Sequence, residues 1–492
     1  MNRSLALLLE GLWVTAYIAV GGLIFAAIVG ILVGLSASSP RRWLRYPARC
    51  HIEIFRGTSA LVQMFWFFYA MPMLLGISIS PTIAGIVVLG LNISAYLAEI
   101  VRGSLQAVPR GQQEAAVALG LSPLQCLWRV TLPQAIPSML PPWGNLVIEL
   151  TKGSALVYFL TLEDIMYQGG ILRSEAPDKA LGIYLLAAVL YGLLCLVLIT
   201  PVKILERGSV QRICGQILLH LGRPLGAAVQ AWTRSPLSWR WTAAAVVGIG
   251  VLVAEVLSGT LVGSLQHVHS SMARQWDHAF AMSILPELTG HALRTTIYCT
   301  ALGGALAIGL GLIWAGLRTI PIFGLLSFYA LEAIRTTPLL VQLFVVYYGI
   351  LPVFGVQINP IIVGIITIGI HYSTYTAEVY RSGIAAVPTG QWEAARALGL
   401  NPMHTFFRII VPQAVPRVVP ALGNYVVAML KETPLLSAIT VIELLGMARE
   451  IGSDHFRYTE AYTIVGILFL AISLFAAALI RLTERLLPVR HA

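Results

Sequence analysis

The chain has 492 residues, of which 57% are hydrophobic and only 11% are charged. A soluble core cannot bury that much apolar surface, so the composition excludes an ordinary globular domain and predicts a membrane protein. The net charge of +10 does not indicate nucleic-acid binding, because the basic residues are concentrated in short segments between alternate apolar runs.

Eleven apolar runs are long enough to cross the hydrocarbon of a bilayer as helices. In chain order they are residues 11–36, 57–75, 81–101, 144–162, 179–200, 241–263, 290–317, 336–355, 360–380, 422–442 and 461–481. We therefore predict an all-α, polytopic helical membrane protein with about 11 transmembrane helices.

The charges of the connecting segments predict the topology. Two segments are rich in arginine and lysine and should be cytoplasmic: the one that follows the first run, with Arg41, Arg42, Arg45 and Arg49, and residues 201–240. Residues 163–179 and 443–460 carry more acidic than basic side chains and should face outward. This distribution predicts a multi-pass membrane protein.

The chain contains an internal repeat at an offset of 279 residues. Glu53 and Arg56 match Glu332 and Arg335, and Gln63 matches Gln342. The match is densest where residues 109–123 align with residues 388–402, and it continues through Gly144 and Asn145, which align with Gly423 and Asn424. The two halves are therefore one unit present twice.

The repeat makes the run at residues 241–263 a topological requirement. Each unit holds five predicted spans, so direct fusion would leave the second unit upside down, whereas one added crossing gives two parallel repeats. We predict a first transmembrane unit at 1–205, a linker with the extra helix at 206–288, and a second transmembrane unit at 289–492. Glu255 lies within the extra run and would be costly there unless it is paired.

Each unit has a polar segment of short predicted helices between its third and fourth spans. In the first copy Glu114 is expected in the opening turn of a helix, where a carboxylate suits the helix dipole, and Gly120 is expected to end it. Ser122-Pro123 and Asn401-Pro402 are expected to cap and begin the next helix. An ordinary amphipathic loop helix is the alternative, which repetition with matching flanks disfavours.

The repeated Glu-Ala-Ala motif with its downstream glycine resembles the signature of the type I permease subunits of ATP-binding-cassette importers. The resemblance covers nearly all of both units and implies a location in a bacterial inner membrane. In that family the helix that carries the motif inserts into a groove on the ATPase subunit. By position, the docking residues would be Glu114, Ala115, Ala116, Gly120, Glu393, Ala394, Ala395 and Gly399.

The resemblance implies two ATP-binding subunits, expected to be a homodimer, and a periplasmic solute-binding protein as partners. ATP and Mg²⁺ would bind to the partner subunits, and the chain itself would bind no cofactor and catalyse no reaction. In agreement, none of Lys152, Lys179, Lys203 and Lys431 follows a glycine, as the lysine of a phosphate-binding loop would.

The stretch from Phe55 to Phe65, echoed from Ile334 to Phe344, resembles the polar amino acid branch of the family. Ser59-Ala60 departs from Pro338-Leu339 of the second copy, so this assignment depends more on the second half. An opine, an ectoine-like solute or a small peptide stays open as the substrate. A secondary transporter and a membrane scaffold or sensor are rival functions, and the paired docking motif disfavours the first of them.

Polar residues inside the predicted spans form stripes at helical spacing and are candidates for the substrate pathway. They are Asn92, Tyr96, Glu99, Glu149 and Lys152 in the first unit and His371, Tyr375, Glu378 and Lys431 in the second. Glu149, which aligns with Ala428, is the strongest candidate for substrate contact. The alternative is that these groups pair with one another, or that Glu99 and Glu378 pair with Arg102 and Arg381 at the cytoplasmic interface.

No metal or disulfide site is expected. The five cysteines, Cys50, Cys126, Cys195, Cys214 and Cys299, have no spacing typical of a disulfide framework or zinc site. His267, His269, His278 and His291 lack an accompanying carboxylate cluster.

The odd number of spans in each unit, and the extra crossing that it requires, can be tested directly. A reporter enzyme fused near Ala279 should be active outside the cytoplasm, because the predicted helix at 241–263 returns the chain to that side. Alkaline phosphatase and β-galactosidase fusions at the same residue measure the location. A cytoplasmic signal at Ala279 would rule out the added crossing.

Overall fold

The computed structural model describes residues 2–75, 79–206 and 276–486. The described chain is helical and contains no β-strand. In the first unit the helices are α1 Asn2–Ala37, α2 Arg42–Gly57, α3 Ala60–Leu74, α4 Pro81–Ala107, α5 Arg110–Ala118, α6 Pro123–Leu160, α7 Ile165–Glu175 and α8 Ala180–Glu206. In the second they are α9 His278–Leu317, α10 Pro321–Thr336, α11 Leu339–Val353, α12 Pro360–Ala385, α13 Thr389–Ala397, α14 Pro402–Ile439, α15 Leu444–His455 and α16 Tyr458–Leu486.

The helices confirm the all-α fold class and repeat in the same order in the two units. Each of the predicted spans that falls in the described ranges coincides with a helix. By length and composition, six of the described helices can cross a membrane, or up to nine if the bent pairs α6–α7, α10–α11 and α14–α15 each count as one span. The predicted extra helix at 241–263, with Glu255, lies outside the described residues, and the domain boundaries stay a prediction.

Two of the helices begin about three helical turns before the apolar runs that predicted them. Helix α1 begins at Asn2 rather than at residue 11, and α9 begins at His278 rather than at residue 290. Polar residues lower the hydropathy of both helix starts, so an apolar run does not report them. Asp277 marks the second start, because its carboxylate accepts hydrogen bonds from the backbone N–H groups of Ala279 and Phe280 at 2.9 and 3.1 Å.

Close helix packing within each unit depends on glycine. Helix α1 lies along α4, and a Cβ added at Gly34 would be 2.8 Å from the carbonyl oxygen of Ala98. Helix α9 lies along α12 in the same way, and a Cβ at Gly311 would overlap the hydroxyl of Thr376. Small residues at such crossings let membrane helices approach closely.

The last helix of each unit packs against the other unit. Helix α8 of the first unit packs on α10 and α11 of the second, and α16 of the second packs on α2 and α3 of the first. Trp66 donates a hydrogen bond to Thr463 at 2.9 Å across one of these contacts, and Arg173 lies 3.8 Å from the ring centre of Tyr348 in the other half of the interface. The largest buried core is consequently shared by both units.

Buried acidic caps begin α7 and α15 at matching positions. Asp164 and Glu443 are both fully buried. Asp164 accepts a hydrogen bond from the N–H of Tyr167 at 2.9 Å, and Glu443 accepts from Leu445 and Gly446 at 2.9 and 2.8 Å. Asp164 and Glu443 belong to the acidic segments 163–179 and 443–460, which are predicted to face outward. Both carboxylates nevertheless satisfy backbone donors inside the protein.

A conserved geometry of the two copies explains the paired glutamines of the repeat. Helices α2 and α3 meet at a break, where Gln63 donates hydrogen bonds to the carbonyl of Phe55 at 3.0 Å and to the hydroxyl of Thr58 at 2.7 Å. At the matching break between α10 and α11, which bends by 102°, Gln342 donates to the carbonyls of Ile334 and Thr337 at 2.7 and 3.0 Å. The glutamine amide thus satisfies carbonyls that a broken helix leaves without partners.

Substituting Gln342→Leu should destabilise the second unit, because the carbonyl groups at the break lose their donor. We expect a loss of about 1–3 kcal/mol, the usual cost of a buried unsatisfied polar group. Thermal unfolding of the purified chain in detergent measures it at a fixed scan rate.

Gln134→Leu is the matched control, since the Gln134 amide donates only to an exposed carbonyl of its own helix. Equal melting temperatures of Gln342→Leu and the parent chain would contradict the role assigned to this amide.

Candidate functional site

A cavity of about 340 Å³ lies between the two units. Its walls come from α4 and α6 of the first unit, from α12 and α14 of the second, and from the breaks before α3 and α11. The volume is at the small end of the range for small-molecule sites, roughly 300–1,000 Å³. Most of the wall is apolar, and a few charged and polar groups converge on it.

Two lysines in the wall contact the opposite unit in the same way. Lys152 of α6 donates a hydrogen bond to the hydroxyl of Tyr375 in α12 at 3.0 Å. Lys431 of α14 donates to the hydroxyl of Tyr96 in α4 at 3.2 Å and to the carbonyl of Arg56 at 3.0 Å. Both pairs obey the 279-residue offset, so the two contacts are related by the pseudo-symmetry of the repeat.

The carboxylates of the cavity do not follow the repeat. Glu149 lies 3.6 Å from Lys152, and its side chain is 53% exposed. Glu432, which aligns with Gly153, also lines the wall, and its buried Oε2 has no hydrogen-bond partner among the described residues. The cavity therefore contains two ammonium groups in equivalent positions and two carboxylates in inequivalent ones.

The cavity brings together six of the predicted pathway residues and leaves out three. The lining residues are Asn92, Tyr96, Glu149, Lys152, His371 and Lys431. Tyr375 stands behind Lys152 and orients its ammonium group. Glu99 pairs with Arg102 at 2.7 Å, and Glu378 pairs with Arg381 and, at 2.9 Å, with Arg318, so neither lines the cavity.

Glu432 was absent from the predicted pathway residues. The aligned glycine in the first unit marked a difference between the copies, but periodicity within one helix did not indicate that residue 432 reaches the wall. The glutamate that aligns with Gly153 is the sequence signal for this site residue.

Polar contacts behind the wall hold two lining side chains. The Asn92 amide donates hydrogen bonds to the carbonyl of Phe55 at 3.0 Å and to the side-chain oxygen of Gln63 at 3.2 Å. In the second unit His371 Nδ1 lies 2.9 Å from Gln342 Nε2. The glutamines that close the helix breaks therefore also orient the side chains of α4 and α12.

The Glu-Ala-Ala motifs lie on two short helices, α5 and α13, that have the same ends. Gly120 and Gly399 follow them with φ angles of +77° and +68°, which favour glycine. The N–H groups of Leu121 and Leu400 donate to the carbonyls of Ala116 and Ala395 at 3.1 and 3.0 Å, as in a Schellman motif. The prediction that the glycines terminate these helices is confirmed.

The predicted caps of the following helices are also confirmed. The Ser122 hydroxyl accepts a hydrogen bond from the N–H of Gln125 at 3.3 Å, and the Asn401 side chain accepts one from Met403 at 2.9 Å. The following helices begin at Pro123 and Pro402 as predicted, and α6 and α14 continue from there into the spans. A wide turn occurs in α6 at Leu127–Thr131, and Pro137, Pro141 and Pro142 lie inside the helix beyond it.

The structure places the motif residues on two sides of each short helix. Glu114, Ala115 and Gly120 are exposed, as are Glu393, Ala394 and Gly399. Ala116 and Ala395 are only 3% and 2% exposed and pack against the permease itself. Glu114 was expected in the opening turn, but α5 begins at Arg110, directly after Pro109, so this glutamate is the fifth residue of the helix.

The outer faces of the two short helices differ in charge and size. Val117 is 65% exposed in α5, and the exposed Arg396 replaces it in α13. Trp392, which replaces Gln113, is half-buried. Apart from these positions, the two helices present the same arrangement of glutamate, alanine and glycine.

The part of the chain that the structure describes contains no group of three or more His, Cys, Asp or Glu side chains that could hold a metal ion. His267, His269 and Cys214 lie outside the described residues.

A family model for the inner membrane component of binding-protein-dependent transport systems matches the chain twice, at residues 26–211 and 307–487. These matches cover the two units of the repeat, including both short helices and all the charged groups of the cavity. The two-unit organisation predicted from the 279-residue offset is thereby confirmed.

Curated relatives align with about one unit each. A probable amino-acid ABC transporter permease of Sinorhizobium fredii is 44% identical over 43% of this chain and 92% of its own length. A second such permease from the same organism is 41% identical over 41% of this chain and 87% of its own length. The octopine transport system permease protein of Rhizobium radiobacter is 34% identical over 39% of this chain and 81% of its own.

Solved structures give a similar coverage. A crystal structure of an amino acid ABC transporter with histidines matches 42% of this chain and 97% of its own, with 36% identity and a TM-score of 0.40.

Proposed function

This chain belongs to the family of inner membrane components of binding-protein-dependent transport systems, and we propose that it imports a polar amino acid or a related small zwitterion. The observation that carries the proposal is the cavity between the units, which joins two lysines to two glutamates. The carboxylate of a zwitterion could pair with a lysine in this cavity, and its ammonium group could pair with a glutamate. The names of the relatives, which include amino-acid and octopine permeases, support the same class.

The substrate carboxylate would approach the ammonium groups, which the tyrosine hydroxyls already orient. The ammonium group of the substrate would approach Glu149 and Glu432, which retain unused acceptor capacity. Because the carboxylates occupy inequivalent positions, the cavity favours one orientation of one substrate molecule. An opine or a small peptide would use the same charged ends with a longer body.

Energy for transport would come from two separate ATP-binding subunits, a homodimer in the simplest arrangement, that bind ATP and Mg²⁺. We propose that α5 and α13 dock on them through the exposed Glu114, Ala115 and Gly120 and through Glu393, Ala394 and Gly399. Ala116 and Ala395 would support these helices from inside. A periplasmic binding protein would deliver the substrate to the opposite face, and the chain itself would catalyse no reaction.

Charge reversal on both short helices tests the docking. Glu114→Arg combined with Glu393→Arg should abolish retention of the ATPase subunits on the purified chain, because each substitution places a long cation where a carboxylate faces the partner. Co-purification in detergent and ATP-driven uptake in proteoliposomes measure the effect.

Glu484→Arg, an exposed charge reversal on α16, is the matched control. Retention of the ATPase subunits by the double variant would contradict docking at these helices. Uptake by the parent chain that persists without ATP and follows an imposed ion gradient would favour the rival secondary transporter.

Neutralising the cavity carboxylates tests the substrate site. Glu149→Gln and Glu432→Gln should each raise the KM for uptake about tenfold or more, the effect expected when a charged hydrogen bond of about 1.5–3 kcal/mol is lost. Uptake of radiolabelled amino acids measures this change, and retention of the ATPase subunits should stay normal.

Glu287→Gln, an exposed position outside the cavity, is the control. Unchanged uptake and unchanged substrate preference in both cavity variants would exclude these carboxylates from substrate contact.

A further inference from the structure

Helix α2 carries an arginine stripe that its counterpart in the second unit lacks. At 3.6 residues per turn, Arg42, Arg45, Arg49 and Arg56 project within an arc of about 60°. Glu53 is the single acidic residue of the helix. At the first three of these positions α10 has Pro321, Gly324 and Phe328, so the repeat has an apolar helix where the first unit has a basic one.

Helix α2 follows α1 after a short connection and packs on α1 and α4. Its inner face contributes Ala48 and Ile52 to a small core with Ala37 and Ala98. Trp43 and Tyr46, on the face turned away from that core, are 54% and 59% exposed. An inner apolar face, exposed aromatic rings and a flanking basic stripe are the features of a helix that lies in a membrane interface.

The positive charges of the stripe are not neutralised by ion pairs among the described residues. In the described ranges, no carboxylate lies within salt-bridge distance of Arg42, Arg45 or Arg49. The buried Nε of Arg45 also has no hydrogen-bond partner there. Arg335 of α10, the counterpart of Arg56, pairs with Glu332 at 2.9 Å, and its buried Nε likewise has no hydrogen-bond partner among the described residues.

The requirement for positive charge on the cytoplasmic side does not explain this difference. Both units have the same predicted orientation, and yet α10 exposes Ile322, Leu325 and Leu326 where it faces outward from the protein. A basic stripe in one copy and an apolar surface in the other indicate two different surroundings at equivalent ends of the two units.

We propose that the arginine stripe of α2 binds the headgroups of anionic phospholipids in the cytoplasmic leaflet, and that α10 contacts acyl chains instead. The guanidinium groups supply planar donors that match phosphate oxygens. Trp43 and Tyr46 hold the helix at the depth of the headgroups. The first unit thereby carries a preference for negatively charged lipid that the second unit does not share.

Cys50 offers a probe of the local lipid, because it is exposed on α2 and the other described cysteines are buried. The full-length chain with Cys214→Ser would be labelled there with a fluorescent maleimide and reconstituted in bilayers of phosphatidylcholine and phosphatidylglycerol. Quenching by brominated phosphatidylglycerol is compared with quenching by brominated phosphatidylcholine at equal mole fraction.

An arginine near an anionic surface favours association by a factor of about five. We therefore expect the brominated anionic lipid to be enriched at Cys50 by about fivefold or more at low salt. The triple variant Arg42→Gln, Arg45→Gln and Arg49→Gln should reduce the enrichment to about one, and salt should reduce it in the parent chain.

The second unit supplies the matched control. A label at Tyr329→Cys, the position equivalent to Cys50, in a Cys50→Ser background should show no preference between the two lipids. The Arg→Lys triple variant keeps the charge and should retain most of the enrichment, which separates lipid binding from a folding defect.

Equal quenching by both lipids in the parent chain would overturn the proposal, and so would an enrichment that survives the triple glutamine substitution. An equal enrichment at positions 50 and 329 would show a general property of the bilayer around the protein and would also overturn it. Free glycerol phosphate in the buffer should not compete, and competition would contradict a site for membrane-bound lipid.

Discussion

The constraint on which the rest of the structure depends is that a lysine inside a membrane protein must be surrounded by groups that stabilise its charge. Lys152 and Lys431 meet this constraint by reaching across to the tyrosine of the opposite unit. Neither unit alone can satisfy its own lysine in this way. The exchange of α8 and α16 between the units brings α4, α6, α12 and α14 around a common space, and the small cavity between them follows from it.

Duplication within one chain allows the two halves to diverge at positions that a symmetric dimer would keep equal. Glu432 aligns with a glycine, Arg396 with a valine, and Arg42, Arg45 and Arg49 of α2 with Pro321, Gly324 and Phe328 of α10. The shared features are those that fold the unit, such as the paired glutamines and the capped helix starts. The differences lie on the surfaces for which we propose contacts with the solute, the ATPase subunits and the lipid.

Much of this fold could be predicted from the sequence, because the predictive signals are local. Apolar runs located the spans, and Ser122, Asn401, Gly120 and Gly399 marked helix ends through hydrogen bonds to residues only a few positions away. The repeat then doubled each signal. The helix starts at Asn2 and His278 were missed because the polar residues there mask the apolar signal.

Contacts between distant segments were less accessible to such reasoning. The stripes on α4 and α6 predicted neighbours within one unit, whereas Lys152 pairs with a tyrosine 223 residues away. Asp164 and Glu443 looked like loop charges because composition cannot distinguish a solvated carboxylate from one buried beneath backbone donors. Helix α6 is continuous from Pro123 to Leu160, although Pro137, Pro141 and Pro142 lie inside it.

Because α6 is continuous, it connects the residues beside α5 directly to the cavity wall. The short helix α5 is joined to the start of α6 by a few residues, and a hydrogen bond from the N–H of Leu121 to the carbonyl of Ala116 at 3.1 Å closes its end. Glu149 stands 26 residues after Pro123, a distance of about 40 Å along a helix. The helix end beside α5 and the residues of the cavity wall therefore belong to one rod. Helix α14 runs from Pro402 through Lys431 in the same way, so each short helix is connected to the cavity through a single continuous helix.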